Sequence, residues 1–156
     1  MKGRLYALFL GLGLSIALVA PAQRTEAALG ESADTVELDR KALAAVRGAT
    51  KAHKSYTVRE FNSASTAVRE YISPSGVVFG IAWKGLIHPD LTQLLGSYAG
   101  EYREALRQTP RQQGRRHLQV KTNRIVVEKW GHMRNLQGRA YAPDLVPSGV
   151  SVNDIR

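Results

Sequence analysis

Cysteine is absent from this chain of 156 residues. Its absence excludes disulfides, thiolate nucleophiles, cysteine-ligated zinc and a lipid anchor on an N-terminal cysteine. Aromatic residues are few, at 7%, and acidic ones are outnumbered, with 13 Asp plus Glu against 22 Lys plus Arg. No internal repeat at solenoid spacing is present. With 44% hydrophobic and 22% charged residues, the composition is that of a globular chain. Disordered, collagen-like and multi-span membrane classes are therefore excluded, and the length suits one domain.

One uncharged run stands out at the N-terminus. Lys2 and Arg4 precede fifteen residues without charge, Leu5 to Val19. That is shorter than the ~20 apolar residues of a membrane-crossing helix and fits the core of a secretory signal. Two small-residue exits follow it: Ala20-Pro21-Ala22 and Thr25-Glu26-Ala27. The reading is a signal peptide over residues 1–27 and a single domain over 28–156, exported to the periplasm or cell envelope. No pair of arginines precedes the run, so the general secretory route is expected.

Export gives the missing cysteines meaning, because the domain would work where disulfides form and yet uses none. A mature chain of about 130 residues buries roughly two thirds of its unfolded surface, enough for a core without cross-links. Cleavage after Ala27 leaves 19 basic and 12 acidic residues, a charge of +7. In an envelope such a domain meets anionic lipids and polymers and not chromosomal DNA, so a nucleic-acid partner is not expected.

The mature chain reads as helix, strands, helix, strands. A first helix opens at Ser32-Ala33-Asp34 and stops at Gly48. Val58-Arg59-Glu60-Phe61 and Val68-Arg69-Glu70-Tyr71 echo one another as adjacent strands, with cross-strand ion pairs on a wet face. Ser73-Pro74-Ser75-Gly76 is a tight turn. After it, Val77, Phe79, Ile81 and Trp83 alternate with Val78, Gly80 and Ala82. This predicts a central strand with large side chains on one face and room for a helix on the other. Asp90 caps a helix whose stripe is Leu91, Leu94, Leu95, Tyr98, Tyr102, Ala105 and Leu106, with a kink near Tyr98 from Gly96 and Gly100. Leu118 to Val120, Arg124 to Trp130 and Met133 to Tyr141 complete the strands, with Gly131 as a break. The tail from Ala142 wraps as coil. The fold class is α+β: an antiparallel sheet of about five strands with helices packed on one face.

Chemistry is sparse. His53, His88, His117 and His132 have no metal-ligand spacing, and no nucleophile elbow, phosphate loop or dinucleotide fingerprint occurs. No cofactor, metal or catalytic residue is assigned. Arg103, Arg107, Arg111, Arg115 and Arg116 form the densest basic cluster and are the anion-binding candidates, since arginine engages both oxygens of a carboxylate or phosphate. His132, Arg134 and Arg139 are candidates for lining a pocket on a C-terminal hairpin.

Two long stretches resemble the bacterial family called domain of unknown function 2844: VREYISPSGVVFGIAWKG with PDLTQLLGSY, Val68 to Tyr98, and GHMRNLQGRAYAPDLVPSGVSVNDI, Gly131 to Ile155. The resemblance implies a small exported protein and supplies no functional residues to carry over. The expected function is non-enzymatic binding or scaffolding of an anionic polymer or partner protein. The alternative is an envelope hydrolase that uses His132 with Glu70 or Asp144.

Overall fold

The computed structural model describes residues 29–32, 45–110, 114 and 116–156. The signal peptide, its cleavage sites, the body of the first expected helix, Arg111 and Arg115 lie outside them. Seven strands form one sheet: β1 Val46–Ala52, β2 Thr57–Asn62, β3 Thr66–Ile72, β4 Val78–Gly85, β5 His117–Lys121, β6 Val126–His132 and β7 Asn135–Tyr141. Their order is β1-β2-β3-β4-β7-β6-β5, with every neighbour antiparallel. The α+β class stands, with seven strands in place of about five.

Six of the seven fall on the segments read as strands, and the seventh is β1, where Gly48 was expected to stop a helix. Gly48 lies within it, so close to β2 that a Cβ would sit 2.9 Å from the Asn62 side-chain nitrogen. β1 is an edge strand with mostly exposed side chains and a register shift between Arg47 and Thr50. Pairing to β2, and not an apolar pattern of its own, holds it. Gly131 likewise does not break β6; at φ +118 it pairs with Leu136 inside the ladder.

Between β4 and β5 lies the helical segment: α1 Leu91–Leu95, a 3-10 turn Gly96–Tyr98, and α2 Ala99–Gln108. The Asp90 carboxylate accepts a 2.8 Å bond from Thr92 N–H, satisfying one of the open donors of the first turn. The interruption at Gly96 to Tyr98 is the expected kink. Leu91, Leu94, Leu95, Tyr98 and Tyr102 pack on one sheet face against Phe61, Val68, Ile81, Trp83, Val120 and Val127. Arg124 clamps the β5–β6 loop to this layer, its guanidinium 4.6 Å from the Tyr98 ring centre and 3.7 Å from a Glu101 carboxylate oxygen.

A bulge corrects the expected facing of β4. Ile72 pairs with Val78 but Tyr71 pairs with Gly80, so β4 carries one extra residue. An inserted residue inverts the alternation on one side of it. Val78 therefore joins Ile81 and Trp83 on the helix face, while Phe79 joins Ala82 on the other. No helix covers that second face among the described residues. The C-terminal tail does, with Leu145, Val146, Val150 and Ile155 packed around Tyr71 and Phe79. Gly80 is the point of closest approach: a Cβ there would lie 2.8 Å from Ile155 Cδ1. The tail turns through Pro147–Val150 as the chain turns through Ser73–Gly76, with Gly149 at φ +81 and Gly76 at φ +82.

Candidate binding cleft

Register fixes what the tail-covered face presents. One row across six strands reads Glu60, Arg69, Ala82, Arg139, Glu128, Gln119, from β2 to β5. Two ionic units flank the small Ala82. On one side the Arg69 Nε bonds a Glu60 carboxylate oxygen at 2.9 Å. On the other, Arg139 Nε meets Glu128 at 2.5 Å, and the Gln119 amide donates to the same carboxylate at 2.7 Å. The arginines then reach outward to the tail. Arg139 Nη1 donates to the Val152 carbonyl at 2.7 Å, and Arg69 Nη1 to the Arg156 main-chain oxygen at 2.9 Å. The Tyr71 hydroxyl donates to that oxygen at 2.7 Å and accepts from Arg156 N–H.

This latch splits the uncovered part of the face into two clefts. The larger, about 370 Å³, has a floor of Ala67 and Ala82 and is bounded by Arg69, Lys84, Trp130, Gln137 and Arg156. The second, about 330 Å³, lies across the latch between Lys51, His53, Tyr56, Glu60 and Asp154. The His53 and Tyr56 rings stack there at 4.5 Å.

Charge on this face is locally compensated. Arg69 donates a hydrogen bond that holds the Glu60 carboxyl below its ordinary range. The Tyr56 phenol is pushed up, first by burial and then by Asp154 and Tyr71. Tyr141 is raised by burial and by Glu128. Lys84 is exposed at the mouth of the larger cleft, and Arg156, also exposed, borders both clefts, its charge acting on the Tyr56 phenol as well. A neutral floor, an indole wall and two exposed cations suit a ligand with an anionic group and an apolar or ring portion.

The residues singled out in the sequence fall in three places. Arg103 and Arg107 line a shallow depression on α2 with Gly100 and Leu106, and Arg107 is paired with Glu104, whose carboxyl it holds low. Arg116 is exposed at the start of β5. His132 and Arg134 stand exposed at the β6–β7 tip, where Arg134 has φ 66, while Arg139 lies mid-strand under the tail. The hairpin does border a cleft, but through Trp130, Gln137 and Gly138. Those residues, with Arg69 and Lys84, could be found only by aligning two hairpins, β3–β4 and β6–β7, that are distant in sequence.

Geometry also separates the groups of the hydrolase alternative. Glu70 lies off the cleft face, because it opposes Arg59 while its neighbour Arg69 opposes Glu60. Glu70 lies level with Ile81, Ala140 and Val127, buried on the helix face. His132 is five residues further along β6 than Val127, about 17 Å by strand rise. Asp144 follows the far end of β7. Neither carboxylate is within hydrogen-bonding reach of His132. Among the described residues, no three His, Asp or Glu side chains are grouped closely enough to hold a metal ion.

A family model described as Protein of unknown function (DUF2844) covers residues 25–155. No curated protein and no solved structure matches the chain.

Proposed function

For this chain, which belongs to the DUF2844 family, we propose a non-catalytic role: an exported envelope protein that binds an anionic polymer through its larger cleft. The observation that carries this reading is the pairing of Trp130 with exposed Lys84 and Arg156 around a floor of two alanines. Arg69 is already committed to Glu60 and the tail. It shapes the cleft, while Lys84 and Arg156 meet the ligand's acidic group. The signal-like N-terminus and the +7 charge of the remainder support an envelope location and an anionic partner.

The test is a titration with soluble anionic polymers, peptidoglycan fragments and delipidated lipopolysaccharide, at about 50 and about 300 mM salt. Tryptophan emission reports binding, since only Trp83 and Trp130 contribute. Binding should weaken with salt, drop in Lys84→Ala, and lose its optical signal in Trp130→Phe. Absent or salt-independent binding to both polymers rejects the reading.

A further inference from the structure

All the large apolar side chains that stand exposed among the described residues are Val46, Leu86, Ile87 and Met133, each more than half exposed and Met133 88% so. Strand register shows that they share one end of the sheet. Val46 opposes Asn62, Asn62 opposes Ala67, and Ala67 opposes Lys84, which precedes Gly85 and Leu86. Gly85 opposes Leu136, at the base of the hairpin whose tip is Met133-Arg134. Scattered exposed apolar residues are ordinary, but their collection on one end is not.

The backbone that presents them is fixed. Leu86 N–H donates to the Ser65 carbonyl at 2.7 Å, and the Thr66 hydroxyl donates to the Ile87 carbonyl at 2.9 Å. Leu86 and Ile87 are thus held outward by the β2–β3 loop. The left-handed conformation of Arg134 sets the tip that carries Met133. Around these side chains lie Arg47, Lys84, Arg116 and Arg134, with His117 and His132. Among the described residues, the segments forming this end carry one acidic residue, Asp90, and its carboxylate is engaged by Thr92 N–H.

We propose that this end of the sheet docks on an anionic phospholipid bilayer, inserting Leu86, Ile87 and Met133 among the headgroups while the surrounding cations meet lipid phosphates. Apolar side chains projecting from fixed loops within a basic rim match the interface, which is apolar below and negatively charged above. A second protein would satisfy the apolar groups; the excess of fixed cations favours the lipid surface. No helix among the described residues is long and apolar enough to cross a membrane, and docking by loop tips requires none. The proposal stands apart from the cleft reading, because the inserting side chains Leu86, Ile87 and Met133 do not line the cleft and Lys84 alone of the rim cations borders both.

The missing cysteines make the test direct. Single-cysteine variants Met133→Cys at the docking end and Ser75→Cys in the turn at the opposite end are labelled with a polarity-sensitive dye in the full chain. They are mixed with neutral phosphatidylcholine vesicles and with vesicles containing phosphatidylglycerol. The expected result is a blue shift at residue 133 with anionic vesicles only, and none at residue 75. Leu86→Ser/Ile87→Ser, both on exposed side chains, should weaken vesicle binding about tenfold or more. Residues 1–27 are common to all variants, so binding through that stretch leaves the 133 probe unmoved and overturns the proposal. A blue shift that follows protein concentration without lipid assigns the end to a second copy and overturns it equally.

Discussion

Trp83 and His88, five residues apart, are joined by a 2.9 Å hydrogen bond in which the indole Nε1–H donates to the imidazole Nδ1. Their rings meet edge-on at 86°. The acceptor nitrogen must be unprotonated, so the bond exists only with neutral His88. It ties the end of β4 to the loop that leads into α1.

That bond sets a pH dependence. Burial, and then the charge of Lys129, hold the His88 pKa below its ordinary 6.5. The unfolded chain therefore takes up this proton first, starting near pH 6.5. Stability is fully present above that value, falls as pH drops toward the lower folded-state pKa, and levels off below it. Thermal denaturation should show a loss of about 1 kcal/mol between pH 7.5 and 5, the size of one hydrogen bond. The loss should be smaller in His88→Gln.

Gly80 and Ile155 form a matched pair. Gly80→Ala places a methyl group against Ile155 Cδ1, and overpacking of this kind costs about 1 kcal/mol or more. Ile155→Val removes that carbon. In urea denaturation the double variant should recover part of the loss, giving a non-additive cycle.

Two arginine–glutamate pairs on one face should behave differently. Arg139 and Glu128 keep 17% and 11% of their side-chain surface, whereas Arg69 and Glu60 keep 48% and 27%. Removing one partner of the enclosed pair strands a charge, so Arg139→Ala should cost about 3–5 kcal/mol. Arg69→Ala loses a more exposed pair, worth about 1 kcal/mol or less, together with its bond to the tail. Denaturant midpoints of the two variants check the order.

The helix cap gives a smaller effect. Asp90→Ala leaves the Thr92 N–H without its acceptor and should cost about 1 kcal/mol. Asp90→Ser should recover most of it, by the same denaturation.

Local signals were legible where the residues carry them. Asp90, the leucine stripe and the kink at Gly96 are written in capping chemistry and helical period. Arg59-Glu60 and Arg69-Glu70 announce two paired strands, and the register places each arginine opposite a glutamate. What escaped depends on partners. β1 is polar and exposed, and only β2 makes it a strand. The β4 bulge has no marker of its own, since nothing in Val77-Val78-Phe79 distinguishes an inserted residue. The cleft could not be read, because Trp130 and Lys84 come together only through β7.

The middle seam of the sheet joins β4 to β7, whose paired residues lie 51 to 61 positions apart. A chain delivered N-terminus first holds β1 to β4 as a half-built sheet, its β4 edge open until the last strand arrives. Closing contacts across such a span is slow compared with forming hairpins. The contact of Ile155 with Gly80 likewise needs the chain beyond β7. Completion of the sheet waits for β7, so its stability belongs to the whole span and not to the N-terminal half alone.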